Sequence, residues 1–357
     1  MSTHRTIVAA VGIALMAMAA GSRRAFADGE IPMRYLYASY GFSSVQRFSR
    51  PSGLFYDSKR SELYVADSGH GQIVILDKKG MPIIKIPHYV VDPVTGNRNP
   101  GEPKGVVVQK NGDILIIDNQ CTYLDVLDFQ GRSVRKVWPA ELLGQPKGKI
   151  QPRCLALDPA GNVYLGLTGG DKEIMVLTPD LKLKTTMGVE SKADWIPDSK
   201  GVPTSDANAT ATDVSKGVTG LWADKDGIVY ASYALGVCVR AYAPDGKQLM
   251  AFGTHDAGPQ NFSLPAGLIT DSTGRLWVVD TLRHVVSVFT IAKSGQTLTP
   301  KFLSLAIGGL GQGAGDLSFP SAITGDGGAK IYVAESAGAR VQGFQIEPPV
   351  SAAPPSQ

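Results

Sequence analysis

The chain has 357 residues, with 35 Lys and Arg against 32 Asp and Glu, and it is rich in glycine, at 41, and proline, at 23. Sparse charge with many turn-forming residues excludes a disordered chain or a coiled coil and fits a β-protein. Arg5, Arg23 and Arg24 carry the whole excess of +3 and the first 27 residues hold no acid, so the remainder is neutral. Neutrality argues against nucleic acid or an anionic membrane as a partner.

Met1 to Arg5 is short and basic, and Thr6 to Gly21 is almost wholly small and apolar. Ala25-Phe26-Ala27 then forms an A-x-A site before Asp28. This layout predicts a signal peptide over 1–27, cleaved after Ala27. The apolar run is shorter than the roughly 20 residues that span a bilayer, so no stable membrane insertion is expected after cleavage. Arg23-Arg24 lies too late to be a twin-arginine signal, which belongs in the n-region. The expected location is exported, periplasmic or extracellular.

Beyond the leader the chain repeats itself. Six segments begin at Pro51, Pro103, Pro152, Val218, Pro265 and Pro320. Each carries an apolar residue after its opening turn: Leu54, Val106, Leu155, Leu221, Leu268 and Ile323. A second anchor follows nine residues later, or ten in the first copy: Tyr64, Leu115, Tyr164, Tyr230, Trp277 and Tyr332. Between copies the spacing runs from 47 to 66 residues. A rigid inner spacing with elastic linkers marks a repeated structural unit.

Within a copy, Gly53 to Tyr56 reads as a first strand and Leu63 to Ala66 as a second. Ile73 to Leu76 reads as a third, with a looser fourth such as Gln248 to Phe252. Turns such as Asp158-Pro159-Ala160-Gly161 separate the first two, with glycine supplying positive φ. β-Branched and aromatic residues concentrate in the runs between turns. One four-stranded sheet cannot bury both its faces alone, but sheets stacked around an axis can. The prediction is an all-β, six-bladed β-propeller of four-stranded antiparallel blades over residues 28–347. The sixth copy ends after its third strand, so Arg34 to Tyr40 is expected to close the last blade as its outer strand and leave no open edge. Residues 348–357, rich in Pro and Ala, are expected to be a disordered tail.

The copies resemble NHL repeats, whose pattern runs P-x-G-[LI]-A-V-D, then G-x-[IL]-Y-V-A-D-S-x-N-H-R-[VI]. Leu63-Tyr64-Val65-Ala66-Asp67-Ser68-Gly69 and Ile331-Tyr332-Val333-Ala334-Glu335-Ser336 match closely; His284 keeps the His position and Arg340 the Arg position. The resemblance implies a top face, formed by the loops before first strands and between second and third strands, where ligands and partners sit. The repeat also resembles that of peptidyl-hydroxyglycine lyases, which are similar in fold and hold zinc through histidines. Here the matching positions are Ser52, Lys104, Arg153, Thr219, Ala266 and Ser321, with no histidine among them. A three-histidine zinc site is therefore not expected.

Other catalytic motifs are missing: no G-x-S-x-G elbow, Walker A loop, EF-hand string or haem-attachment motif occurs. Gly309 to Ala314 matches a G-x-G-x-x-A string, but no helical pattern follows it, so it reads as an inter-blade loop. Asp67, Asp118, Asp280 and Glu335 end second strands. They either accept backbone hydrogen bonds in their own loops or form a partial acidic rim for a cation, with Ca²⁺ as the ion. Lys104 and Arg153 share one slot in adjacent blades, where a small residue is usual. With Asn119 beside them they could receive an anionic group, or serve only as solvated charges. Cys121 and Cys154 fall on the same face and could form a disulfide in an oxidising compartment. Cys238, in a third strand, reads as a small core residue. Two inserts, Val91 to Pro100 and Val189 to Lys216, should rise on the top face and frame a pocket over blades two to four, with Trp195 as its anchor.

The leading reading is a monomeric, extracytoplasmic, non-catalytic binding or scaffold propeller. It would recognise a protein or small molecule on its top face through Lys104, Arg153, Asn119, Trp195, Asp67 and Asp280, with no cofactor. The alternative is a lyase or lactonase-type enzyme with a metal held by Asp and Asn. An RNA-binding propeller is a third reading, opposed by the leader and the neutral charge.

Overall fold

The structure, a computed structural model, describes residues 31–348 apart from 93, 190–216, 235, 237 and 256–257. The predicted leader, nearly all of the predicted tail and most of the longer insert, including Trp195, lie outside the described residues.

Six four-stranded antiparallel sheets form, five of them in chain order from inner to outer strand. Blade I comprises Pro51–Asp57, Glu62–Asp67, Gln72–Leu76 and Pro82–Pro87. Blade II runs from Pro103–Val108 to Ser133–Val137, blade III from Gln151–Leu157 to Leu183–Val189, and blade IV from Val218–Ala223 to Gln248–Phe252. Blade V runs from Pro265–Thr270 to Thr297–Gly308. Blade VI holds Pro320–Gly325, Lys330–Glu335 and Arg340–Ile346, and its outer strand is the N-terminal Met33–Ser39. The inner strands touch from I to VI and again from VI to I, which closes a six-bladed ring.

Closure follows the expected route. Met33–Ser39 lies antiparallel on Arg340–Ile346, from Met33 opposite Ile346 to Ser39 opposite Val341, with a bulge between Tyr35 and Tyr37. The first and last strands of the ring thus belong to one sheet, so unzipping either end exposes blade VI.

Burial follows position within the blade. Second strands are covered on both faces by neighbouring sheets; Ile114–Asp118, Val229–Tyr233 and Leu276–Asp280 are buried throughout. That is why they read as continuous apolar runs and not as alternating ones. Outer strands such as Ser133–Val137 are largely exposed. The core is a set of inter-blade clusters, including one of Trp277, Val279, Val288, Val333 and Phe344 between blades V and VI. Each fully buried Leu or Val side chain in these seams contributes about 1.5–3 kcal/mol.

The repeated Pro-x-Gly opening has a steric reason. Inner strands approach one another closely near the axis. A Cβ on Gly53 would lie 2.5 Å from the Lys104 carbonyl oxygen, and one on Gly267 would lie 2.8 Å from the Ile323 nitrogen. Only glycine fits there. Blades III and VI carry Cys154 and Ala322 at the equivalent position.

Candidate functional site

The ladder between first and second strands slips at the start of every inner strand. The irregularities fall at Pro51/Gly53, Pro103/Gly105, Pro152/Cys154, Val218/Gly220, Pro265/Leu268 and Pro320/Ala322. A bulge removes one residue from the pairing and re-aims its side chain. The residues so released are Ser52, Lys104, Arg153, Thr219, Ala266 and Ser321, and all six line a channel of about 240 Å³ on the ring axis.

In three blades the released side chain is a hydroxyl that bonds to the next blade. Ser321 Oγ donates to the Pro51 carbonyl at 2.7 Å, Thr219 Oγ1 to Pro265 at 2.7 Å, and Ser52 Oγ to Pro103 at 3.2 Å. Thr281 and Ser68 add similar stitches, to Pro320 at 2.8 Å and Pro103 at 2.6 Å. Ala266 has nothing to offer. Blades II and III place charges in this slot. Among the described residues no carboxylate forms an ion pair with Lys104 or Arg153. Glu102, the nearby acid on the same turn, is taken by Arg50 at 2.8 Å. Burial, and after it the charge of Arg153, hold the Lys104 ammonium below the usual lysine range. The structure thus brings Lys104 and Arg153 together as a partly buried cationic pair at the mouth of the channel.

Asn119 does not join them. It is outside the channel lining. Its backbone donates to the Glu102 carbonyl at 3.0 Å and accepts from Gln151 Nε2 of blade III at 2.9 Å.

The acidic residues at second-strand ends accept hydrogen bonds that hold loops in place. Asp67 is buried and accepts from the Ser49 backbone at 2.6 Å and from Gln72 Nε2 at 2.9 Å, and lies 2.8 Å from His70 Nδ1. Asp280 accepts from the Ser263 and Leu264 backbones at 2.8 and 3.0 Å. Glu335 accepts from the Ser318 backbone and pairs with buried Arg340 at 2.6 Å. These carboxylates hold the top loops to the blades. Among the described residues no group of three or more His, Cys, Asp or Glu could hold a metal ion.

Cys121 and Cys154 are free thiols and do not pair. Cys121 packs with Val90 and Tyr123 on the blade I side of blade II. Cys154 follows the bulge of blade III and faces blade IV, with its thiol 3.5 Å from the Val218 carbonyl. The two thiols belong to different buried clusters. Burial pushes both thiols up to about 12.

The shorter insert is a hairpin, Tyr89–Val91 paired with Arg98–Pro100. It packs toward Tyr123 and Trp138 at the outer part of blade II, and does not line the channel.

At its root lies an arrangement with no motif in the sequence. His88 is 2% exposed and sits between two carboxylates, Nδ1 at 2.8 Å from Asp118 and Nε2 at 3.2 Å from Asp125. Asp118 also accepts from the Glu102 backbone at 2.7 Å, and Asp125 from Ser133 Oγ at 2.5 Å. The two aspartates outweigh the cost of burial and raise the imidazole to about 9. His284 has φ of 57° and accepts from the Phe319 backbone at 3.1 Å. Both histidines hold loops in place.

At the opposite end the channel opens into a funnel of about 750 Å³. Asp57, Asp158, Asp224, Asp271 and Asp326 ring it, one from each of five first turns. Each Oδ1 accepts backbone N–H groups of its own turn, as Asp224 does from Asp226 and Ile228 at 2.9 Å. Burial raises Asp224 above the usual carboxylate range. This ring is turn chemistry repeated five times. The Lys104–Arg153 pair is instead a departure from the repeat.

Comparison with known proteins places the fold and no more. No family model matches the chain, and no curated protein sequence matches it. Solved structures do. Virginiamycin B lyase from Staphylococcus aureus is 12% identical, with a TM-score of 0.54 over 89% of this chain and 100% of that one. A gluconolactonase from Xanthomonas campestris is 13% identical, with a TM-score of 0.55 over 88% of this chain and 89% of that one. A protein of unknown function from Bacteroides thetaiotaomicron is 13% identical, with a TM-score of 0.56 over 88% of this chain and 76% of that one. At this identity the likeness shows a shared six-bladed propeller architecture. Chemistry on such a fold is decided by the site.

Proposed function

We propose that this protein is an exported, non-catalytic binding propeller of the NHL-repeat type. It receives an anionic group of a small molecule or protein partner at the top mouth of its channel. One observation carries the reading: adjacent blades place Lys104 and Arg153 in the slot that elsewhere holds Ser, Thr or Ala, without a carboxylate partner among the described residues. Two cations held together in a partly buried site repel one another, and an incoming carboxylate or phosphate relieves that repulsion. Arg153 offers a planar fork for two parallel hydrogen bonds, and Lys104 a point charge. The A-x-A site at Ala25-Phe26-Ala27 supports export. The lyase or lactonase alternative needs a metal held by acid and amide oxygens, and the second-strand carboxylates are committed to backbone N–H groups.

The test is calorimetric titration of the chain from Asp28 with a panel of small carboxylates and phosphates. At least one should bind, and Lys104→Ala combined with Arg153→Ala should weaken it roughly 10- to 100-fold, the scale of lost charged hydrogen bonds. The double variant should melt within a few degrees of the wild type, because neither side chain stitches blades together. Undiminished binding in the double variant would refute the site. A collapsed fold would show that the pair is structural.

A further inference from the structure

Lys104 has a reactivity that anion binding alone does not use. The bulge at Pro103/Gly105 turns its amine into the channel, whose walls are the apolar inner-strand side chains Leu54, Val106, Leu155 and Leu268. No carboxylate among the described residues forms an ion pair with it, and Arg153 stands in the same slot of the next blade. Arg153 stays protonated whatever its surroundings, so of the pair only Lys104 can supply a lone pair.

We propose that Lys104 Nζ captures the carbonyl carbon of a small anionic aldehyde or ketone, of the 2-oxo carboxylate class, as a reversible imine, while the Arg153 guanidinium holds the carboxylate. This deepens the binding reading and rests on it.

The chemistry balances without an oxidant or reductant. The neutral amine adds to the carbonyl carbon, forming a C–N bond as the C=O π pair moves to oxygen and takes a proton. The nitrogen lone pair then forms C=N as the C–O bond breaks. Both amine protons leave with that oxygen as one water. Burial and the Arg153 charge favour the free amine, since each disfavours the ammonium. A cavity of about 240 Å³ suits a ligand of a few carbons. Other lysines, such as Lys110 and Lys182, are exposed.

The experiment incubates the chain from Asp28 with pyruvate and sodium cyanoborohydride and locates the reduced adduct by peptide mass spectrometry. Lactate, which has the carboxylate but no carbonyl, is titrated separately by calorimetry. The expected result is a reduced pyruvyl group at Lys104 in at least about tenfold excess over Lys110 and Lys182, a contrast of about 1.4 kcal/mol. Lactate should compete with it, and Arg153→Ala should suppress it. Lys104→Arg should abolish the adduct while retaining lactate binding and the melting temperature. Adducts spread evenly over surface lysines, or none at all, with lactate still bound, would overturn the imine and leave the anion site standing. No adduct together with no binding of either acid would overturn both.

Discussion

His88 should make the stability of this propeller fall as the solution becomes mildly alkaline. In the fold its imidazole lies between Asp118 and Asp125 and is raised from 6.5 to about 9. In the unfolded chain it returns to its ordinary value. A folded-state value above the unfolded one favours the fold fully below the unfolded value. That stability disappears as pH rises through the folded value. The shift corresponds to about 3 kcal/mol in full, at about 1.4 kcal/mol per unit. Of this, about 1 kcal/mol should vanish between about pH 6 and about pH 7.5, before the thiols of the unfolded chain ionise appreciably. Urea unfolding of the chain from Asp28 at these two pH values measures the loss. Asp125→Asn removes the negative charge beside Nε2 and should shrink the pH-dependent part. His88→Gln should abolish that part while costing about 3–5 kcal/mol at low pH, because two buried carboxylates lose their cation. The His88 ring resonance, followed by NMR, should titrate near the folded value. The linkage argument fails if stability is flat across this window, or if His88→Gln keeps the wild-type slope.

Gly53→Ala should destabilise the chain by about 1–3 kcal/mol in chemical denaturation, the usual cost of overpacking, because its Cβ meets the rigid Lys104 carbonyl. A loss below a few tenths would show that the inner strands can spread. Cys121 and Cys154 should both react with Ellman's reagent after denaturation without reductant, and neither should react in the folded protein. Denatured, unreduced protein missing these two thiols would restore the disulfide.

Anion binding and imine capture divide the mouth between two residues with distinct tasks. On the proposed reading Arg153 would orient a carboxylate and Lys104 would supply a nucleophile. The four remaining blades close the same ring with Ser, Thr or Ala, which keeps the pair asymmetric within a nearly symmetric channel. A symmetric ring of six would offer a ligand six equivalent poses.

The architecture was legible in the sequence because its causes are local and repeated. The constant spacing of anchors such as Leu155 and Tyr164 is one turn plus two strand halves. The Asp-to-Gly turns set each hairpin, and the missing fourth strand of blade VI could be filled only from the other end of the chain. Lys104 and Arg153 stood out for the same reason, as exceptions in a repeated slot. What the sequence did not disclose depended on which way a side chain faces after a bulge and on partners from other blades. The slip at Pro152/Cys154 turns Cys154 toward blade IV and away from Cys121. Asp67 and Asp280 looked available because the loop N–H groups they bind lie 16 to 18 residues away. His88 carried no motif at all, since its carboxylates are 30 and 37 residues distant. Local spacing determines the blade; only the closed ring brings distant charges within a hydrogen bond of one another and decides which of them are left for a ligand.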